Sequence, residues 1–148
     1  MLQLRDLPTP EVLGKFAERY PDADVTAIAS FLYLLRVATD LSLALDTCLS
    51  KHDLLQGRWW VLILLMREES TISTPSILAD KLGVTRATMT GLLDGLEQNG
   101  LVTRVFAKED RRSVKIQLTT AGQAKLDVVM PDYYRRLRQC MEALDEEK

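Results

Sequence analysis

Over most of the chain apolar residues recur every three or four positions, the spacing of a helix buried along one face. Between positions 101 and 118 they alternate instead, the spacing of a strand. From about Val25 to Leu49, Phe31, Leu34, Ala38, Leu41, Leu45 and Cys48 form one stripe, and Ile28, Leu32 and Leu35 form a second beside it. That predicts a long helix with one face for its own domain and one for a partner helix. A shorter helix precedes it, about Glu11 to Tyr20, opened by Thr9-Pro10 and stopped by Pro21. At the C-terminal end Thr120 and Gln123 form a capping-box pair, and Met130, Tyr134, Leu137, Met141 and Leu144 repeat the helical spacing around an expected bend at Pro131. So much apolar helical surface at both ends of a 148-residue chain is hard to bury in one copy. A homodimer with interlocked terminal helices is the expected solution.

The middle of the chain is punctuated more tightly. Asp53 to Glu69 reads as a helix packed through Trp59, Leu62, Ile63 and Met66. Ser73-Thr74-Pro75 caps a short helix carrying Ile77, Leu78 and Leu82, which Gly83 ends. Thr85 caps the next, which runs to Asn99-Gly100 with Met89, Leu92, Leu93 and Leu96 on one face and Arg86, Thr90 and Asp94 largely opposite. Two helices joined by so short a turn are the pattern of a helix-turn-helix. Leu101 to Val105 and Val114 to Leu118 then alternate as two antiparallel strands around the tip "FAKEDRRS".

Composition narrows the function. With 47% hydrophobic and 27% charged residues the chain should fold as a globular domain. No leader pattern opens it, and "WWVLILLM" is far shorter than the roughly 20 apolar residues of a membrane helix, so a cytoplasmic protein without a membrane partner is expected. Net charge is −2, but residues 76–119 carry seven Lys and Arg against five Asp and Glu, the one positive segment. Cys48, Cys140 and a single histidine, His52, lack metal-site spacing, so neither a metal nor a cofactor is expected. There is no nucleophile elbow, phosphate-binding glycine loop or His-paired nucleophile, which argues against an enzyme.

The stretches "TPSILADKLGVTRATMTGLLDGLEQNGLV" and "EDRRSVKIQLTTAGQ" closely resemble the MarR family of bacterial winged helix-turn-helix regulators, and the helical flanks fit from about Phe31 to Leu137. The resemblance implies a mainly α fold with a small β-hairpin wing (α+β). Residues 1–52 would be N-terminal dimerisation helices, 53–119 the DNA-binding lobe and 120–148 C-terminal dimerisation helices, all within one intertwined domain. It implies a homodimer on a pseudo-palindromic site in double-stranded DNA, most often as a repressor, with recognition helices in major grooves and wings in adjacent minor grooves.

Placed on that frame, Thr85, Arg86, Thr88 and Thr90 are the expected contacts of the recognition helix. In the wing, Arg112 matches the family's minor-groove arginine, where narrow A·T-rich segments concentrate negative potential. Lys108 and Arg111 would neutralise phosphates, and Asp110 would hold the Arg112 guanidinium by a charge-assisted bond. Gly91 and Gly95 stand where relatives often carry basic residues. With Ala87 they would form a smooth strip for close approach to DNA, or else are tolerant positions with weaker phosphate binding. Leu55 occupies a position where relatives often have a Ser or Thr cap, which leaves Asp53 as the candidate cap.

The family often holds small aromatic or phenolic ligands where the dimerisation helices meet the DNA-binding lobe. Here that implies a pocket from Tyr33, Arg36, His52, Arg58, Trp59 and Trp60, in which Trp59 reads chiefly as core packing and Trp60, Tyr33 and Arg36 are the better contacts. Two alternatives remain at this level: a regulator without an effector, and a thiol-based redox sensor. Against the second, residues 1–47 contain no cysteine, Cys48 continues an apolar stripe, and Cys140 lies near the chain end.

Overall fold

The computed structural model describes residues 4–110 and 112–146. Arg111 lies outside them, as does the side chain of Leu144, the last member of the predicted C-terminal stripe. Six helices and three strands follow in the order α1 (Pro10–Arg19), α2 (Val25–Ser50), α3 (Gln56–Met66), β1 (Ile72–Ser73), α4 (Pro75–Leu82), α5 (Arg86–Gln98), β2 (Val102–Phe106), β3 (Val114–Leu118) and α6 (Thr120–Glu146). They divide into two compact units, residues 1–44 and 45–148. The boundary expected at residue 52 therefore falls inside the second unit, which also holds α6.

In the first unit, Thr9 caps α1 by accepting the Val12 N–H, with Pro10 in the first turn where its missing donor costs nothing. Along α2, Phe31, Leu34 and Leu43 are exposed. The expectation of no membrane span rests on residues 59–66. Helix α2 is a different case, being long and apolar enough to cross a membrane by length and composition.

The second unit has a single core. Trp59, Leu62 and Leu65 of α3, Leu78 of α4, Met89, Leu93 and Leu96 of α5, Ile116 of β3 and Leu126 and Val129 of α6 are all fully or almost fully buried. Each such side chain contributes about 1.5–3 kcal/mol by leaving water, so this cluster fixes α5 against α3 and α4. Gly83 and Gly100 close α4 and α5 with positive φ of 71° each. The next residue's N–H then reaches back to the helix, Val84 to Ala79 O and Leu101 to Leu96 O, a geometry that a residue with Cβ resists.

Four local readings change. Helix α3 is shorter than expected, because Asp53 (φ 55°) sits in the left-handed turn that ends α2, where the Leu54 N–H bonds Leu49 O. Asp53 therefore caps nothing on α3, and Leu55 at the cap position makes no side-chain bond. The wing sheet has three strands in the order β1-β3-β2; Ile72 pairs with Gln117 and Ser73 with Ile116, and two residues are too few to show a period. In place of several C-terminal helices, α6 is one helix that runs through Pro131. Its cap is Thr119 rather than Thr120: the Thr119 hydroxyl accepts the Gly122 N–H at 3.0 Å and donates to Gly100 O at 2.6 Å. Gln123 bonds Asp127 instead.

Thr119 thus ties the end of α5 to the start of α6, and Gly122 lets the two come close. A Cβ on Gly122 would overlap the Leu101 carbonyl oxygen, a backbone atom with little room to yield. Gly122→Ala should destabilise the fold by about 1–3 kcal/mol, read as a lower urea midpoint with unchanged slope.

Candidate nucleic-acid interface

Helix α5 presents its polar face beside the first turn of α4. Thr85 caps α5 by accepting the Thr88 N–H at 3.1 Å, and its own hydroxyl donates to the Thr88 hydroxyl at 3.0 Å. The Thr90 hydroxyl donates to Arg86 O at 2.9 Å. Each hydroxyl has one proton and two lone pairs. Thr88 therefore keeps a donor for an incoming acceptor, whereas Thr90 has only lone pairs left to offer. Helix α4 is capped by Thr74, whose hydroxyl accepts the Ile77 N–H, so its N-terminal partial positive charge is fixed in place.

Between these helices and the wing lies a cleft of about 500 Å³, bordered by Thr74 and Ser76 of the α4 start, Arg86 and Thr90 of α5, Arg104 of β2 and Arg112 beside β3. Among the described residues, neither Arg86 nor Arg112 has a carboxylate within ion-pair reach. Two unneutralised guanidiniums and a helix N-terminus facing one cleft make a surface for a polyanion.

Arg104 is different. Its guanidinium donates to Asp94 at 2.7 Å and Glu97 at 3.0 Å, and Glu97 also accepts the Arg104 backbone N–H at 3.1 Å. Burial works against the charged guanidinium, but the bonds to Asp94 and Glu97 and their charges outweigh it, so its pKa is raised. Both carboxylates are partly exposed, which limits each pair to about 0.2–1 kcal/mol of stability. The greater consequence is geometric: α5 and the wing are fastened to each other. Strand alternation would have located this residue, because Arg104 lies two positions from buried Val102 and opposite buried Ile116.

At the wing tip, the Asp110 carboxylate accepts the backbone N–H of Arg112 at 2.9 Å, and the Ser113 N–H bonds Asp110 O. This replaces the expected carboxylate–guanidinium bond. An aspartate readily closes a turn on the N–H two residues ahead, and the Arg112 side chain is left to face the cleft. Lys108 is exposed. Gly91 has open space around it, as a smooth strip requires, but Gly95 is buried: a Cβ there would overlap the Arg58 guanidinium. Gly95 is therefore removed from the expected strip, and Arg58 is placed against α5.

Of the other residues expected to form a pocket, Trp59 is fully buried and meets the Tyr133 ring edge-on at 5.3 Å, with Trp60 at 6.5 Å and Tyr134 at 5.4 Å from the same ring. Tyr133 was not singled out from the sequence, since it falls between members of the α6 stripe. Its hydroxyl pKa is raised, first by burial and then by Tyr134. The Trp59 indole N–H is buried and has no hydrogen-bond partner among the described residues, while that of Trp60 donates to Gln56 at 3.3 Å. His52 bonds Asp132 at 2.8 Å, joining the α2–α3 turn to α6. Tyr33 and Arg36 belong to the first unit, where Tyr33 is exposed and Arg36 lies 4.0 Å from Asp40. Cys48 is buried and Cys140 half-buried.

A helix-turn-helix followed by a β2–β3 hairpin, to which the short β1 adds a third strand, with Arg86, Arg104 and Arg112 on the cleft between helices and wing, is a winged helix-turn-helix of the DNA-binding class. The chain belongs to the MarR family of transcriptional regulators: the signature described as "MarR family" matches residues 56–114. It is 33% identical over 148 residues to the HTH-type transcriptional repressor YetL of Bacillus subtilis, covering 99% of this chain and 89% of that one. Among solved structures, Sco3205, a MarR family regulator from Streptomyces coelicolor in complex with DNA, superposes with a TM-score of 0.72 at 23% identity, over 79% of this chain and 82% of that one. CouR from Rhodococcus jostii, bound to p-coumaroyl-CoA, gives 0.63 at 26%, over 71% and 73%.

Proposed function

We propose that the chain is a cytoplasmic repressor acting as a homodimer, in which each protomer lays α5 in a major groove and the wing in the neighbouring minor groove. The observation that carries this reading is the cleft shared by the α4 start, Arg86 and Arg112, where, among the described residues, the two cations lack carboxylate partners and are open to phosphates. Thr85, Arg86, Thr88 and Thr90 meet base edges and backbone along α5, and Lys108, Arg111 and Arg112 meet phosphates and the minor groove. The repressor name of YetL supports the direction of control. Dimerisation is supported by Phe31, Leu34 and Leu43 on α2 and by Val128, Tyr134, Leu137 and Met141 on α6, all exposed in the single chain. Selection of fragments from genomic DNA by the purified protein tests it; recovery of one or a few promoter fragments is expected, and indiscriminate recovery would oppose a sequence-specific role.

The effector we propose is a small aromatic or phenolic molecule held beside α3. The ring cluster of Trp59, Trp60, Tyr133 and Tyr134, the unpaired Trp59 N–H and the His52–Asp132 bond support this class, and CouR is a relative whose structure holds an aromatic acyl thioester. A 100-fold fall in operator affinity needs about 2.7 kcal/mol of coupling, and operator DNA must then weaken effector binding by the same factor. Titration of phenolic acids, followed by tryptophan fluorescence and by release of DNA, should show both effects. Saturable binding with unchanged DNA affinity would separate the ring cluster from regulation.

A further inference from the structure

Helix α5 carries one cation, Arg86, against two carboxylates, Asp94 and Glu97. By itself it is net negative, the wrong sign for a helix lying between two phosphate backbones. On the wing side Arg104 occupies both carboxylates. On the opposite flank, towards α3, Gly95 is buried and its missing side chain leaves a socket filled by the Arg58 guanidinium. Among the described residues no carboxylate lies within ion-pair reach of Arg58, which is only half-buried. A glycine inside a helix costs about 1 kcal/mol against alanine, and here it gives a cation from another helix a seat on the flank of α5.

We propose that Arg58 is a DNA-phosphate contact of the recognition helix, supplied from α3 through the gap at Gly95. The proposal rests on reading α5 as the helix that enters the major groove. Counting both neighbours, the recognition element carries Arg58, Arg86 and Arg104 against Asp94 and Glu97, so its sign is reversed. The guanidinium packs over the gap at Gly95, and without a carboxylate partner among the described residues its N–H groups can be offered to a phosphate. Such a contact adds affinity on every sequence and leaves base preference unchanged.

The test measures affinity for a selected genomic fragment and for a random-sequence duplex between roughly 50 and 200 mM salt. Arg58→Gln should lower the slope of log affinity against log salt by about 0.9 per protomer, by the same amount on both duplexes, with an unchanged melting temperature. Arg58→Lys should keep the wild-type slope. Combining Arg58→Ala with Gly95→Arg returns a guanidinium to the same flank from α5 itself, and should restore the slope that Arg58→Ala loses. An unchanged slope in Arg58→Gln overturns the proposal, as does loss in a folded double variant. If the wild-type protein shows no salt-dependent binding to either duplex, the DNA-binding reading itself fails, a result distinct from any difference among the Arg58 variants.

Discussion

Arg112→Ala is expected to reduce affinity for a selected genomic fragment about 5- to 150-fold, equivalent to about 1–3 kcal/mol, while leaving the protein folded. Arg112 is exposed, borders the cleft and has no carboxylate partner among the described residues, so its removal leaves no buried group unsatisfied. Asp110 acts one step earlier. Its carboxylate closes the tip on the Arg112 N–H, so Asp110→Ala should loosen the backbone that aims the guanidinium and cost part of the same affinity. Because both changes act through one turn, the double variant should lose less than the two losses added together. Strict additivity, measured by fluorescence anisotropy at fixed salt, would mean that the tip is not preorganised by Asp110.

Placing charge on the exposed apolar face of α6 is expected to have the larger effect. Tyr134 and Leu137 are exposed in the single chain, so Tyr134→Glu with Leu137→Glu should spare the core formed by Trp59, Leu126 and Val129. If that face joins two protomers, the variant sediments as a monomer or a weak dimer. One half-site must then bind without the second, and the linked contribution, on the order of 10²- to 10⁴-fold, is lost. Leu34→Glu on α2 should act in the same direction. Sedimentation equilibrium and DNA affinity should fall together across these variants; a dimer of undiminished stability in all of them would place the interface elsewhere.

Periodicity and capping carried most of the fold. Thr9, Thr74 and Thr85 are caps where the sequence placed them, and Gly83 and Gly100 terminate helices as their left-handed freedom allows. What escaped depended on partners far away in the chain. Strand β1 exists only because β3 lies beside it, and Gln117 bonds Thr71 across 46 positions. The Thr119 cap differs from the capping-box reading by one residue, because the choice is made by Gly100 and Leu101, which its hydroxyl and N–H meet in space.

The candidate interface was legible in its exposed residues and illegible in its supports. Arg86, Thr90 and Arg112 come together on the cleft. Arg104 was passed over because a basic residue in a short strand looks like solvent-facing polarity, although its alternation with Val102 points inward and Asp94 and Glu97 stand three apart on the preceding helix. Gly95 was misread because a glycine's purpose lies in the atom that fills its space, here the guanidinium of Arg58, 37 positions away in the sequence. Charge counts also gave a weak signal: Asp94 and Glu97, both held by the single Arg104, lower the net count of residues 76–119, whereas the proposed DNA contacts Arg86 and Arg112 have no carboxylate partner among the described residues.

Hydroxyl-radical footprinting of the protein on its most enriched genomic fragment tests the central claim most directly. The account predicts two protected patches on one face of the duplex, with centres roughly 34–36 Å apart, each flanked by minor-groove protection that disappears with Arg112→Ala. A single protected patch, or protection unaffected by changes at both Arg86 and Arg112, would contradict it.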